Sequence, residues 1–342
     1  MKERLVNYLR KWVTIRDRPG SVESLTAALI CIVLIVAVWH LLTLGPPEER
    51  IVNRITLPSV GETMSSFPSL WFDRAVARSA AWSLGRVLAG IVLAASVGVP
   101  LGILAASFLR LNAFLRPLSI FGRNIPIAAL IPLTLMWFGL GETQKVMFIF
   151  LAAVAFVFFD SVTAVQGVPD SYLDAAYTLG ARFAAKAGLK HAAIAGAVYA
   201  FTFGFAFIMM ANRPGVNDIA LQGAWREKFV IMTTLGFFAG FVLWFPILSF
   251  QAVRKVLFPL AMPDVVNSLR LLFGLAFGYI MLAEVINAEY GLGALINMSQ
   301  RQGPREHIYL VLILISLLAF TIDRSILTAQ RKLFPYRKLG EQ

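Results

Sequence analysis

Charged side chains interrupt the apolar stretches of this sequence at Arg86, Arg123, Asp160, Arg270 and Glu284. Placing such a charge in lipid costs roughly 2.5–3.5 kcal/mol on insertion scales, so each needs a physical reason. Two readings compete. Each charge lies within a turn or two of a helix end and snorkels outward or pairs with a neighbour, or a basic residue such as Arg86 or Arg123 faces a central cavity and lowers the barrier to an anion. Bond-making chemistry has no comparable candidates. His40, His191 and His307 stand far apart without metal-ligand spacing, Cys31 is the lone cysteine, and neither His-Glu-x-x-His nor Gly-x-Ser-x-Gly occurs. There is no Gly-x-x-x-x-Gly-Lys-Ser/Thr loop to cradle phosphate. The reading is therefore of a chain that is not an enzyme and holds no cofactor or metal, with energy arriving from another subunit or from an ion gradient.

The elements that position these residues are apolar helices. Of 342 residues 58% are hydrophobic and 15% charged, with a mean hydropathy of +0.73; a soluble domain carries about a quarter charged residues, so a water-soluble globule is excluded. Spans of about 20 apolar residues are predicted at Ser24–Leu44 and at about 80–108, 117–139, 146–166, 190–211, 229–250, 264–287 and 307–327. The expected fold is an all-α polytopic membrane protein of about eight transmembrane helices with both termini cytoplasmic. Lys and Arg concentrate in the segments this places inside, namely 1–23, 109–116, 167–190, 251–263 and beyond 323, as the positive-inside rule requires. The net charge of +12 is thereby spread over helix ends, and with no basic soluble domain, nucleic-acid binding is not expected. The apolar core after the basic start is too long for a cleaved signal, so 1–23 precedes a membrane anchor.

The external loop 45–79 holds Pro46, Pro47, Pro58 and Pro68, with a short interfacial helix expected over Glu62–Phe72 carrying Phe67, Trp71 and Phe72. Glycines four apart at Gly98/Gly102, Gly236/Gly240 and Gly274/Gly278 offer strips for close helix contact, within the chain or with a second copy. Pro100, Pro126 and Pro132 interrupt spans two and three, and freed backbone is tolerated only against protein or a water cavity, which makes these helices first candidates for lining a pathway.

Between the fourth and fifth spans runs Gly167-Val-Pro-Asp-Ser-Tyr-Leu-Asp-Ala-Ala-Tyr-Thr-Leu-Gly-Ala181. Asp170 or Ser171 can cap a helix beginning near Tyr172. The Asp174-Ala175-Ala176 face has little bulk, and Gly180 can end the helix in a left-handed conformation. Such an element suits docking into a groove on a partner, although a solvated loop helix fits these residues as well.

Asp174-Ala175-Ala176, three residues, then Gly180 resembles the Glu-Ala-Ala…Gly loop of binding-protein-dependent ABC importer permeases, with Asp174 in place of the usual glutamate. The motif's second half, an apolar stretch ending in Leu-Pro, resembles Arg254–Pro263, where Phe258 precedes Pro259 in place of leucine. The nitrate, taurine and alkanesulfonate branch is resembled, in order, by Leu57-Pro58-Ser59, Ser83–Gly90, Pro126–Gly141, Leu269-Arg270, Ala283-Glu284, Gly291-Leu-Gly293 and Asp323-Arg324. One departure is large: Gly180 and Pro259 are 79 positions apart, where the family has about a dozen.

The resemblance implies segments 1–23 (cytoplasmic), 24–79 (first span and external loop), 80–182 (permease core with the first half of the coupling loop), 183–251 (an inserted two-helix hairpin), 252–327 (second half of the loop and core) and 328–342 (basic tail). A six-helix core thus becomes eight, and the hairpin is expected at the lipid-facing periphery. The resemblance further implies two cytoplasmic ABC ATPase subunits that bind ATP and Mg, a second permease copy, a periplasmic or lipid-anchored substrate-binding protein and a bacterial cytoplasmic-membrane location. It places ATPase coupling at Asp174, Ala175, Ala176, Gly180 and Pro259, and the solute is expected to be a small oxoanion or sulfonate-like compound. Arg86, Arg123, Pro126 and Glu284 are the pathway candidates. The rival readings are an ATP-independent secondary transporter or channel, and a membrane scaffold.

Overall fold

The computed structural model describes residues 20–211 and 219–336. The basic segment ahead of Gly20, residues 212–218 of the turn expected between the inserted helices and the last residues of the tail lie outside them, while the rest of that expected turn, 219–228, is helical. The described residues are helical apart from turns, loops and one isolated bridge between Phe183 and Phe250. Among the described residues, seven helices are long and apolar enough to cross a membrane, or eight if one bent pair is a span.

Helix α1 (Ser21–Leu42) stands off from the bundle with its apolar side chains exposed. In lipid that is stable, because a helix satisfies its own backbone. It is attached at its end, where Trp39 Nε1 donates to the Pro58 carbonyl at 2.8 Å. The short helix expected over Glu62–Phe72 is divided at Ser66 into α2 (Val60–Ser65) and α3 (Phe67–Phe72). A capping box starts α2: Ser59 Oγ accepts from the Glu62 amide and Glu62 Oε2 from the Ser59 amide. Phe67, Trp71 and Phe72 are all exposed, as an interfacial position requires.

The core is built by three long helices, α4 (Val76–Ser107), α7 (Glu142–Gln166) and α11 (Phe258–Asn287). Val87, Ile91, Phe148, Ile149, Phe277 and Ile280 are buried between them. In lipid such contact comes from close packing more than from the hydrophobic effect, and α4 approaches α7 along glycines. A Cβ on Gly98 would lie 2.8 Å from Val157, and one on Gly102 2.5 Å from Ser161. Gly236 and Gly240 make the corresponding seam between α9 (Ala185–Ala211) and α10 (Ile219–Ser249). The third pair differs: nothing lies within 4 Å of a Cβ on Gly274 or Gly278.

The span expected at 117–139 is not one straight helix. The chain forms α5 (Leu109–Asn124), a 3-10 turn (Ile127–Ala129) and α6 (Leu130–Phe138), with the two halves bent by 89°. Proline disfavours the α conformation in the residue before it, and Ile125, preceding Pro126, is extended at φ −70°, ψ 126°. Pro100, by contrast, sits inside an unbroken α4. After α7 comes α8 (Asp170–Thr178), then the hairpin α9–α10, which flanks α4 and α7 with its other side exposed. A π turn (Val253–Leu257) leads into α11, followed by α12 (Leu292–Gln302) and α13 (Glu306–Leu333), which runs on into the stretch read as the basic tail.

Candidate functional site

Helix α8 carries Asp174, Ala175 and Ala176 and has no buried residue. It begins at Asp170, with Pro169 as N-cap and no side-chain cap, slightly earlier than the capping pattern predicts. Proline's fixed φ suits that entry, and the Asp170 carboxylate in the first turn still complements the helix dipole. At the other end Gly180 has φ +82°. The Ala181 amide bonds the Ala176 carbonyl and the Gly180 amide the Tyr177 carbonyl, both at 2.9 Å, which is the paired arrangement that closes a helix at a left-handed glycine. Leu173 packs towards the core, while Tyr172, Tyr177 and Leu179 are 52%, 62% and 87% exposed.

The two halves of the interrupted loop meet. Ala184 donates its amide to the Ser249 carbonyl at 2.8 Å and Gln251 to the Arg182 carbonyl at 3.1 Å, around the Phe183–Phe250 bridge, whose rings are 5.0 Å apart. Gly188 lies so close to Ser249 that a Cβ there would be 2.0 Å from its Oγ. The hairpin therefore leaves and returns at one narrow neck, and the chain continues from Gly180 to Pro259 across it. Beside the neck is a cavity of about 590 Å³ whose lining includes Phe108, Leu173, Arg182, Phe250 and Leu257.

At the opposite end of the core, motifs scattered through the sequence converge. Arg86 on α4 is 2% exposed. Its Nε and Nη2 donate to the Glu142 carboxylate at 2.5 and 2.8 Å, and its Nη1 donates to Glu284 Oε1 and to the Tyr290 carbonyl, both at 2.7 Å. Lys145 Nζ donates to Glu142 Oε1 at 2.8 Å. Ser83 donates to Glu284 and accepts the Leu292 amide at 2.9 Å, while the Gly293 amide donates to Glu284 Oε2 at 2.9 Å. Glu284 thus caps the start of α12. Only glycine fits there: Gly291 has φ +140°, and a Cβ on it would lie 2.4 Å from the Glu284 carboxyl carbon. Two carboxylates and two cations balance, which lets charge be buried without a bare ion.

Of the pathway candidates, Arg86 and Glu284 are joined in this cluster. Arg123 and Pro126 are elsewhere: Arg123 lies over the rings of Phe159 at 3.9 Å and Phe156 at 5.3 Å, about 20 Å further along α7 than Glu142 at 1.5 Å per residue. Pro126 is exposed at the bend. Sequence reasoning missed Glu142 as a partner of Arg86, Lys145 as a second partner of Glu142, and Ser83 as a partner of Glu284. Glu142 and Lys145 were read as loop because hydropathy rises only after them, yet their spacing of three places both on one helical face.

Among the described residues no group of three or more His, Cys, Asp or Glu could hold a metal ion. A family model described as "Binding-protein-dependent transport system inner membrane component" matches residues 98–252 and 247–333. A putative ABC transporter permease protein of Methanocaldococcus jannaschii is 25% identical over 311 residues, covering 90% of each chain. A taurine transport system permease protein of Escherichia coli is 23% identical over 329 residues, covering 95% of this chain and 92% of its own. Among solved structures, a chain of the inward-facing MetNI methionine ABC transporter matches with a TM-score of 0.51 at 17% identity, over 78% of this chain and 97% of its own, a likeness of fold. An all-helical membrane bundle, a short exposed helix closed by glycine and a family match over most of the chain agree: this protein belongs to the family of inner membrane components of binding-protein-dependent transport systems.

Proposed function

We propose that this chain is the translocating subunit of an ATP-driven importer and that α8 is the element through which separate ATPase subunits move it. The observation that carries this reading is the state of α8: a helix with a well-formed end, tied to the core through Leu173, with Tyr172, Tyr177 and Leu179 turned outward. Exposed aromatic and aliphatic side chains on a short helix fit a groove on a partner, and Ala175 and Ala176 permit close approach. Two ATPase subunits would sit on the cytoplasmic side with ATP and Mg, and a second copy of this chain would complete the membrane unit. A binding protein outside would deliver the solute, a small oxoanion or sulfonate-like compound of the kind named for the taurine relative. In this reading both chain ends lie in the cytoplasm of a bacterial cell, and for the C-terminal end it is supported by the end of α13 lying at the α8 end of the bundle, where the Tyr336 hydroxyl reaches the Pro259 carbonyl.

The mechanism follows from the connections. Closure of the ATPase pair on ATP pulls α8, which is continuous with α7 through Gly167–Pro169 and adjoins the π turn before Pro259. Asp174, Ala175, Ala176 and Gly180 form the docking face and its stop, and Pro259 starts the span that α8 must move. The ligand acts by biasing a two-state bundle. Co-purification of the tagged chain with its co-expressed ATPase tests this. Wild type should yield a complex that hydrolyses ATP, and Asp174→Lys combined with Gly180→Pro should lose it while still inserting in the membrane. A folded wild-type chain that binds no ATPase would overturn the reading.

A further inference from the structure

The inserted hairpin makes a contact with the core that a lipid-facing appendage would not need. Pro100 lies inside α4, and because proline has no amide hydrogen, the carbonyl four residues earlier, that of Ser96, loses its helical donor. The Tyr199 hydroxyl, on inserted helix α9, donates to that Ser96 carbonyl. Trp244 Nε1, on inserted helix α10, donates in turn to Tyr199 Oη at 2.9 Å. Both inserted helices thus contribute to one chain of hydrogen bonds ending on the proline-freed carbonyl.

The surroundings are built for this contact. Tyr199 is only 6% exposed, and its ring lies against Gly240, where a Cβ would be 2.6 Å from it. Ser96 turns its own hydroxyl back to the Leu93 carbonyl at 2.8 Å, leaving its carbonyl to the tyrosine. The same solution occurs independently in α11: Pro263 frees the Pro259 carbonyl, and the Tyr336 hydroxyl donates to it at 2.5 Å. In the hydrocarbon region a freed carbonyl has no water to turn to, so an interior proline there depends on a donor from elsewhere.

We infer that Tyr199 is a positioning residue of the translocation bundle: the inserted hairpin supplies the hydrogen bond that α4 lacks at Pro100, and so holds the shape of the helix that carries Arg86 and packs on α7. The hairpin is then a working part, fixed at its neck to the loop beside α8 and at mid-depth to α4. The consequence for transport rests on the importer reading above, whereas the hydrogen bond itself does not.

A double-mutant cycle tests both parts. Tyr199→Phe removes one hydroxyl, and Pro100→Ala restores to α4 an amide that reaches Ser96. In the purified full chain, Tyr199→Phe should lower the melting temperature by roughly 1–4 °C. The same change in the Pro100→Ala background should cost clearly less, leaving only the loss of the acceptor for Trp244 Nε1. Trp244→Phe, which leaves the tyrosine donating, should have a smaller effect than Tyr199→Phe. Equal losses in both backgrounds, or no loss in either, would overturn the inference. In the ATPase complex reconstituted in nanodiscs, Tyr199→Phe should cut ATP hydrolysis about fivefold without weakening assembly, and Pro100→Ala should return most of it. Normal hydrolysis alongside a coupled melting cycle would leave the bond but refute the positioning role. If wild type assembles with no ATPase, the importer reading fails, and the melting cycle still decides the bond.

Discussion

The two ends of the bundle solve opposite problems. At one end Arg86, Glu142, Lys145 and Glu284 are buried, and each charge is met by an opposite charge or a backbone group. That end is complete within the chain. At the other end α8 has no buried residue, Tyr172, Tyr177 and the following Leu179 are exposed, and the loop behind it is held by the Arg182–Gln251 and Ala184–Ser249 backbone hydrogen bonds at the hairpin neck. The difference teaches where the molecule is finished and where it expects company. Satisfied buried charge fixes helices relative to one another, whereas an exposed helix with a clean glycine stop is free to serve as the proposed ATPase handle.

The sharpest way to break this comparison is to damage each end and read two different quantities. Glu284→Ala strips Arg86 of one partner and leaves the Ser83 hydroxyl and the Gly293 amide without their acceptor. Removing one member of a buried ion cluster costs about 3–5 kcal/mol, so a large fall in thermal stability of the purified chain is expected. Leu179→Asp at the α8 end alters a side chain that is 87% exposed. It should change stability by no more than about 0.5 kcal/mol while abolishing co-purification with the ATPase. If Glu284→Ala melts like wild type, the Arg86 cluster does not fix the bundle. If Leu179→Asp still assembles, α8 is not the handle.

Much of this was legible in the chain and the remainder was not, for identifiable reasons. The long apolar runs announced α1, α4, α7, α9, α10, α11 and α13, because a spanning helix must be both long and apolar. Gly180 announced the end of α8. Pro126 announced an interruption of its span, but unbroken hydropathy concealed the 89° bend there, although Arg110, Arg116 and Arg123 along α5 fit a helix that leaves the bundle axis. The charge cluster was unreadable for a different reason. Ser83, Arg86, Glu142, Glu284 and Gly293 are spread over most of the chain, and no local periodicity relates them. The family-like blocks carry no sign in the sequence that they touch. Tyr199 resembled any aromatic in an apolar run, and its role became visible only when Pro100 was seen opposite.

A smaller effect sharpens the picture at the α8 end. Gly180 adopts φ +82° with open space around its Cβ position, so Gly180→Ala meets no clash and pays only for the left-handed conformation. That cost is roughly 1 kcal/mol. The variant should therefore stay folded, with α8 fraying at its last turn, and should bind the ATPase several-fold more weakly, measurable by titration of the reconstituted complex. An unchanged affinity would mean that the helix stop contributes nothing to docking.

The smallest effect belongs to the exposed counterpart of the Arg86 cluster. Arg50 Nη1 is 3.0 Å from Glu62 Oε2 and Arg54 Nε 3.3 Å from Glu62 Oε1, and Arg54 continues to Glu306 at 3.2 Å, pinning the loop that carries α2 and α3 to the start of α13. The hydrogen bond from Arg50, with that from the Ser59 amide, lowers the Glu62 carboxyl from its ordinary 4.5 to about 2. A depressed carboxylate favours the folded state at pH above 4.5 and loses that contribution as the pH falls towards 2. Wild type should therefore melt slightly above Glu62→Gln at pH 6, with the gap closing between pH 4.5 and 2. Because the Glu62 side chain is 23% and Arg54 51% exposed, the gap at pH 6 should also shrink in high salt. The buried Arg86 cluster, screened far less, should show no such salt dependence in the Glu284→Ala comparison. Equal salt sensitivity at the two sites would mean that water reaches the Arg86 cluster and that this end of the bundle is not closed.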